Sequence, residues 1–369
     1  MNTTSGVRSR PSLRGAVTAV AVAMSLALSS CASWDSPGTS SGNEELIQQL
    51  ENADHSSDPH TFTGMSLVDD IGDVEPVTDR AEPSLPVQLT DADGFDVEVT
   101  DVSRILPLDL YGTYSKTIAG IGLADNIVGR TVSSTEPALA DVPVVTTGGH
   151  NLNAEAILEI NPTLIIIDHS IGPREVIEQL RNSGITTVVM DPTRTIASIG
   201  DDIIDIASVV GLADEGEKLA QRSVTEVDQA RGVVQELVPE DPLRMVFLYA
   251  RGTGGVFFII GDAYGGRDLI EGLGGRDMAA EHGIEDLAPA NAEALAELDP
   301  EVFVMMSEGL VSTGGIDGLL QRPGIAQTTA GRNQRILALP DGQSLAFGAQ
   351  TGELLLRASR ELYLPESER

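Results

Sequence analysis

The segment LADEGEKLAQRSVTEVDQARGVVQEL, residues 212–237, organises the rest of the chain. It contains no proline, and its apolar residues recur at spacings of three and four, which is the period of a helix. These residues are Ala220, Val224, Val227, Ala230, Val234 and Leu237. At about 1.5 Å per residue the segment forms a rod of about 39 Å. Pro239 and Pro242 follow, so we expect one long linking helix over 212–238.

Short apolar runs alternate with helical segments on both sides of this helix. Before it, the candidate strands are DVEV (96–99), RILPL (104–108), NIVGR (126–130), PVVTT (143–147), LIIID (164–168) and TTVVM (186–190). After it, they are MVFLYA (245–250), VFFII (256–260), VFVMM (302–306) and RILAL (335–339). Val- and Ile-rich runs separated by helices indicate parallel sheets covered on both faces. The sequence therefore predicts an α/β fold with a lobe over 95–211 and a second lobe over 239–369.

The two flanks share a motif. Residues 155–167 read EAILEINPTLIII, and residues 293–305 read EALAELDPEVFVM. Each segment begins with a glutamate, reaches Asn-Pro or Asp-Pro after the same number of residues, and enters an apolar run. Proline disfavours helix at the residue before it, so each helix should end there. All αβ units resemble one another to some degree, but the equal spacing favours a pseudo-symmetric pair of lobes.

The N-terminus resembles a secretory signal. Arg8, Arg10 and Arg14 precede the apolar run AVTAVAVAMSLAL (16–28), which is too short for an ordinary membrane span. We predict a signal peptide over residues 1–30. Cys31 is the only cysteine of the chain, and LSSC (28–31) resembles the bacterial lipobox, which implies lipid attachment at Cys31 and a location on the outer face of the cytoplasmic membrane. The alternative is an ordinary signal peptide with an incidental cysteine.

Composition excludes several kinds of partner and site. The formal net charge is −33, from 23 Lys and Arg against 56 Asp and Glu, so nucleic acid is not an expected partner. A single cysteine rules out internal disulfides and multi-cysteine metal sites. Residues 31–94 are rich in Ser, Asp, Glu and Pro without a sustained period, which predicts an acidic and mostly flexible tether; the sequence does not decide whether part of it packs on the lobes.

Three polar side chains occupy positions where ligands collect in open α/β sheets. His150 follows the PVVTT run and two glycines, at the carboxyl end of a predicted strand. Tyr249 and Arg251 end the first strand of the second lobe, and alternation along a strand places them on one face. An arginine beside a phenol favours the phenolate, and tyrosine is a known axial ligand of haem iron. The alternatives are an exposed loop histidine and a Tyr-x-Arg pair that only caps a core strand.

The layout over about residues 95–365 resembles the cluster A, helix-linked substrate-binding proteins of ABC importers, which carry haem, siderophores or cobalamin. RILPLDLYGTYSKTIAGIGLADNIVGR (104–130) is similar to the first strand–helix–strand unit of that family. The resemblance implies two Rossmann-like lobes, one rigid linking helix and a ligand cleft between the lobes. It also implies that Glu155 and Glu293, one on each lobe, dock on arginines of the permease. The alternative for both is a first-turn glutamate favoured by the helix dipole.

Within this family, GGHNLNAE (148–155) and LYARGTGG (248–255) resemble the haem-receptor branch, the HmuT type. That resemblance implies a lipoprotein that binds ferric haem b between His150 and Tyr249, with Arg251 assisting Tyr249. It further implies transfer to the permease and ATPase subunits of an ABC importer, with haem-donating surface proteins as further partners, and no enzymatic turnover. Residues considered for the walls of the haem pocket, or equally for the core, are Phe247, Phe347, Met305 and Met306.

Other functions fit the sequence less well. A receptor for a ferric siderophore or cobalamin on the same fold is the nearest alternative. A receptor for zinc or manganese requires several converging ligands, and only His150 and His169 are candidates in the first lobe. Glycine-rich stretches such as 251–268 lack the P-loop pattern, and no G-x-S-x-G occurs, so a secreted enzyme is not expected.

Overall fold

The computed structural model describes residues 41–54 and 56–368. Its helices are α1 (Ser41–Glu51), α2 (Thr113–Gly120), α3 (Ala154–Glu159), α4 (Arg174–Asn182), α5 (Ile199–Val209), α6 (Ala213–Leu237), α7 (Gly266–Gly272), α8 (Met278–Glu281), α9 (Ala292–Leu298), α10 (Ser307–Ser312), α11 (Gly315–Leu320), α12 (Thr329–Asn333) and α13 (Thr351–Tyr363). Its strands are β1 (Met65–Leu67), β2 (Val87–Thr90), β3 (Asp96–Val99), β4 (Ile105–Leu108), β5 (Thr146–Thr147), β6 (Asn151–Leu152), β7 (Leu164–Ile167), β8 (Thr186–Val189), β9 (Arg244–Arg251), β10 (Val256–Ile259), β11 (Arg276–Asp277), β12 (Ala288–Pro289), β13 (Val302–Met306) and β14 (Ile336–Leu339).

The first lobe is built on the parallel strands β4, β7 and β8. Every residue of β4 and β7 is buried, as expected for strands with both faces covered. The predicted runs 126–130 and 143–147 extend this sheet only through single parallel bridges, Ile105 with Ile127 and Arg130 with Val144. Pro143 has no N–H to donate, and from Thr146 the chain turns into the hairpin of β5 and β6, so a longer ladder does not form.

The second lobe holds a mixed sheet rather than the wholly parallel one that the sequence predicts. Strands β9, β13 and β14 are parallel, but β10 is antiparallel to β9. Only the turn of residues 252–255 separates these two strands, and a parallel connection requires a crossover of a dozen residues or more. The carboxyl ends of β9, β13 and β14 therefore share one edge with the β9–β10 turn.

Helix α6 is the predicted linking helix. It packs on α5 and on α13, and the apolar positions Ala220, Val227, Ala230, Val234 and Leu237 are buried. Val224, predicted for the same stripe, is instead 38% exposed, and the buried face turns toward the neighbouring Ser223 and Glu226. The long helix thus contributes to the hydrophobic core over most of its length.

The sequence left open whether part of the predicted tether packs on the lobes, and residues 41–54 and 56–94 do pack on the folded body. Helix α1 contacts α13 and α6, and Leu50 is fully buried. Strand β1 pairs in parallel with β14, while β2 and β3 form an antiparallel hairpin that contacts α5 and β8. The apolar residues of this segment are scattered singly between polar ones, so they bury surface without producing a periodic pattern. The predicted signal peptide and Cys31 lie outside the described residues.

The N-terminal segment is also held to the second lobe by a histidine. The Nδ1 atom of His60 lies 2.8 Å from Glu301 Oε1, and its Nε2 atom lies 2.8 Å from the carbonyl oxygen of Asp241. A carboxylate and a carbonyl oxygen can only accept hydrogen bonds, so both contacts are satisfied together when His60 is the imidazolium and each ring nitrogen donates. Partial burial alone would lower the pKa of His60, but the hydrogen bonds to Glu301 and Asp241 outweigh it and raise that pKa above 6.5.

We expect His60→Gln to destabilise the protein at pH 5.5 and to have little effect at pH 9. A raised histidine pKa stabilises the fold fully below pH 6.5 and loses this effect as the pH rises through the folded-state value. The pair is partly exposed, so the loss is about 1 kcal/mol or less, a shift of about 2 °C in Tm. Thermal melts at both pH values test this, with His282→Gln as the matched control. An equal loss at both pH values would contradict the charged pair.

Candidate functional site

His150 lies at the tip of a short hairpin on the carboxyl edge of the first lobe. Strands β5 and β6 pair around Gly148 and Gly149, whose φ angles of +60° and +92° suit glycine. The N–H of Gly172 donates to the carbonyl oxygen of His150 at 3.1 Å, which ties the tip to the loop that follows β7. The imidazole itself is exposed. The hairpin therefore presents a ring nitrogen to solvent at the edge where ligands of α/β sheets bind.

Tyr249 lies on a strand that is paired on both sides. Strand β9 is bonded to β13 and to β10, and Tyr249 is directly opposite Phe258. Its ring is half-buried and packs against the core cluster that includes α6 and α13. The phenol is thus fixed on a rigid element of the second lobe, in contrast to the exposed hairpin tip that carries His150.

Arg251 shares the face of Tyr249, as the sequence predicts. Its guanidinium carbon lies 4.9 Å from the centre of the Tyr249 ring. Its Nη2 atom donates to Asp341 Oδ2 at 2.6 Å and lies 3.4 Å from the sulfur of Met306. The structure therefore brings a cation against the face of the Tyr249 ring, as in a cation–π contact.

A buried charged cluster lies below the carboxyl edge of the first lobe. Asp109 follows β4 and Asp168 follows β7, and both side chains are shielded from solvent. Arg194 Nη2 donates to Asp168 Oδ2 at 2.5 Å, and the hydroxyl of Tyr114 donates to the same oxygen at 2.9 Å. Asp109 accepts backbone N–H groups of Tyr111 and Thr113 at 3.1 and 3.0 Å. The cluster fixes the loops after β4 and β7 that form this edge.

The charges of this cluster depend on one another. Burial raises the pKa of Asp109, and the nearby Asp168 raises it further, whereas Arg194 opposes both. Burial disfavours the charged form of Arg194, but the acidic groups around it outweigh burial and raise its pKa. Burial also raises the pKa of Tyr111 to about 12. The positive charge of Arg194 therefore offsets the cost of burying the carboxyl groups of Asp109 and Asp168.

The four side chains considered as pocket walls belong to the core. Phe247 and Met305 are fully buried, and Phe347 and Met306 nearly so. Apolar side chains that the sequence analysis missed are exposed at the two edges instead. On the first lobe, Val132 lies beside the His150 hairpin, where its N–H donates to Thr146 Oγ1. On the second lobe, Val256 is paired opposite Arg251. Val311 is 65% exposed, and the hydroxyl of the next residue, Ser312, accepts the N–H of Gly252. Isolated valines carry no periodic signal, so only the fold identifies them.

Glu155 and Glu293 occupy equivalent positions on the two lobes. Each is exposed in the first turn of its helix, after an asparagine that caps the helix through its side chain. Asn161 and Asp299, the residues before the two prolines, both have positive φ angles, 48° and 30°. The repeated motif of the sequence therefore corresponds to the same local structure in both lobes.

The chain has two α/β lobes joined by a long helix, and polar side chains lie at the carboxyl edges of both sheets. This arrangement is that of a two-lobed ligand-binding protein. Residues 109–342 match the family model described as periplasmic binding protein. The chain belongs to the periplasmic binding protein family, and the predicted two-lobed α/β fold is confirmed.

Several solved structures are similar to the chain. The crystal structure of heme binding protein HmuT is 82% identical, covers 84% of this chain and 100% of its own, and has a TM-score of 0.83. An Arg→Ala variant of HmuT is 79% identical over 88% of this chain and 100% of its own, with a TM-score of 0.87. The periplasmic heme-binding protein RhuT from Roseiflexus sp. RS-1, in apo form, is 32% identical over 71% of this chain and 98% of its own, with a TM-score of 0.66. A comparison with curated proteins gave no match.

Within residues 41–54 and 56–368, none of the helices combines the length and apolar character needed to cross a bilayer. In the same part of the chain, no three His, Cys, Asp or Glu side chains are grouped so that they could hold a bare metal ion.

Proposed function

We propose that this protein is an extracytoplasmic receptor that binds ferric haem and delivers it to an ABC importer. It is a transport binding protein and not an enzyme. Relatives that are 79–82% identical are heme binding proteins, and the more distant RhuT is one as well. The observation that carries the proposal is the placement of His150 and Tyr249 at the carboxyl edges of separate lobes, with Arg251 against the phenol.

The solved variants of HmuT support these three residues. In that protein a histidine, a tyrosine and an arginine have each been replaced by alanine. The substituted histidine precedes the substituted tyrosine by 99 positions, and the arginine follows the tyrosine by two. His150, Tyr249 and Arg251 have the same spacings. We therefore propose His150 and Tyr249 as axial ligands of the haem iron and Arg251 as the residue that assists Tyr249.

The chemistry of the two ligands suits ferric haem. A phenolate is a hard anion that favours Fe³⁺, and Arg251 favours the phenolate by its charge. A neutral imidazole from the opposite lobe completes the coordination of the iron. Because the two ligands come from different lobes, bound haem links the lobes. Breaking the iron bond to either His150 or Tyr249 would leave haem held by one lobe, from which it can be released to the permease.

The porphyrin itself requires apolar contact surface. We propose that Val132 on the first lobe, and Val256 and Val311 on the second, contact its faces, because they are exposed and lie beside His150 and Arg251 respectively. Exposed apolar side chains at a binding edge indicate a ligand that covers them.

Hemin titration tests the function against the nearest alternative. We expect purified protein to give a stoichiometric Soret shift with hemin and no binding of ferric siderophores or cobalamin at the same concentrations. Uptake of a siderophore or cobalamin while hemin remains spectrally free would contradict the haem assignment and favour the alternative receptor.

Glu155 and Glu293 are proposed contacts to arginines of the permease. Their exposure and equivalent placement on the two lobes suit a partner that contacts both lobes at once. We expect Glu155→Ala combined with Glu293→Ala to reduce haem-stimulated ATP hydrolysis by the reconstituted importer at least tenfold while hemin affinity stays unchanged. The control is Glu159→Ala with Glu297→Ala, one turn further along the same helices. Equal losses in both pairs would contradict a specific role for the first-turn glutamates.

Cys31 is the proposed site of lipid attachment. The apolar run before it and its position at the end of LSSC support this proposal. Acyl chains contribute about 0.8 kcal/mol per buried methylene, so several chains anchor a protein stably. We expect Cys31→Ala to move the protein from the membrane fraction to the medium. Retention of this variant in the membrane fraction would contradict the anchor.

A further inference from the structure

Asp341 is placed to control the arginine that assists Tyr249. It lies two residues after β14, on the edge where β9 and β13 also end. Its Oδ2 atom accepts a hydrogen bond from Arg251 Nη2 at 2.6 Å, and its Oδ1 atom accepts the N–H of Glu308 at 2.9 Å. Both carboxylate oxygens are therefore engaged, one by the arginine and one by the backbone at the start of α10.

This double contact fixes the direction of the guanidinium. The carboxylate cannot rotate toward solvent without losing its backbone hydrogen bond, and its side chain is 18% exposed. Arg251 also donates to the carbonyl oxygen of Ala250 at 3.2 Å, and a Cβ on Gly309 would lie 2.5 Å from its Nη1 atom. The guanidinium thus contacts β9, α10 and Asp341, while its carbon lies 4.9 Å from the centre of the Tyr249 ring.

We propose that Asp341 is a positioning residue for haem binding, which acts through Arg251 on Tyr249. This inference rests on the proposed function. Asp341 has two opposing effects: it holds the guanidinium over the phenol, and its negative charge offsets part of the charge of Arg251. The hydrogen bond from the Glu308 N–H and the low exposure of the Asp341 side chain hold this carboxylate in place, which favours the first effect. A long arginine side chain without a fixed partner turns toward water.

The two effects predict opposite spectral shifts in the ferric haem complex. A cation near the phenolate lowers the energy of its electrons, so the phenolate-to-iron charge-transfer band lies at shorter wavelength. We expect Asp341→Ala to move this band to longer wavelength, in the same direction as Arg251→Ala, and to accelerate hemin dissociation about three- to tenfold. Asp341→Asn keeps an acceptor oxygen and should restore at least half of the lost residence time.

Three results would overturn the inference. The first is a band shift to shorter wavelength in Asp341→Ala, and the second is an Asp341→Ala complex identical to wild type. The third is a further change when Asp341→Ala is added to Arg251→Ala, because a residue that acts through Arg251 should have no effect once Arg251 is removed. Asp317→Ala, an exposed aspartate of the same lobe with the same charge change, is the control. If wild type binds hemin but lacks the phenolate band, the proposed ligation by Tyr249 fails; if wild type has the band and Asp341→Ala matches it, only this inference fails.

Discussion

Replacing Tyr249 with phenylalanine is expected to weaken ferric haem binding by about 30- to 1000-fold, since removal of a central binding group typically costs about 2–4 kcal/mol. Phenylalanine keeps the ring that packs against the core cluster, so the lobe should remain folded. It removes only the oxygen that we propose as the anionic ligand. Hemin titration and the loss of the phenolate-to-iron band measure the effect.

His150→Ala is the informative comparison for this variant. Tyr249 lies on a strand bonded on both sides and supplies the proposed anionic ligand, whereas His150 is an exposed side chain at a hairpin tip and supplies a neutral ligand. Lost rotamer freedom of the exposed side chain offsets part of the His150 bond, and we expect about a tenfold loss of affinity in His150→Ala. A larger loss in His150→Ala than in Tyr249→Phe would contradict the dominant role of the phenolate.

Arg194→Met is expected to lower the free energy of unfolding by about 3–5 kcal/mol, which is the usual result of leaving a buried charge without its partner. Methionine fills much of the same volume but supplies no positive charge to Asp168 or Asp109. The pKa of a buried carboxyl without a cation lies above that in the unfolded chain, so the deficit should grow as the pH rises from 4 to 8. Urea unfolding at several pH values measures it.

Arg174→Met provides the matched control for this prediction. Arg174 also pairs with an aspartate, Asp93, at 2.9 Å, but its side chain is 61% exposed. An exposed pair contributes about 0–1 kcal/mol, so the control should unfold nearly as wild type does. Equal losses in the two variants would show that burial of the Asp168 cluster is not what makes Arg194 important.

Periodicity was sufficient to predict the linking helix and the strands β4, β7, β9, β13 and β14, because buried strands and a long amphipathic helix leave strong local patterns. It could not predict the packing of residues 41–54 and 56–94. There, β1 adds a strand to the edge of β14, and single apolar residues such as Leu50 and Val68 are buried one at a time. Contacts of this kind depend on the surface of the finished lobe and leave no repeating signal.

The candidate site was predictable to the same extent. Strand alternation placed Tyr249 and Arg251 on one face, and the strand end placed His150 at the carboxyl edge, as the structure has them. Asp341 was missed because it lies 90 positions from Arg251 in sequence, and only the parallel pairing of β9, β13 and β14 brings their ends together. Phe247 and Met305 could not be assigned to the core or to the pocket wall from the sequence, because an apolar residue of a buried strand looks the same whether it faces the core or a ligand.

A crystal structure of the hemin complex tests the central proposal most directly. We predict that one iron is bonded to the phenolate oxygen of Tyr249 on one face and to a ring nitrogen of His150 on the other, with Arg251 against the phenol. Iron bound through a single lobe only, or through other side chains such as His169, would contradict the account.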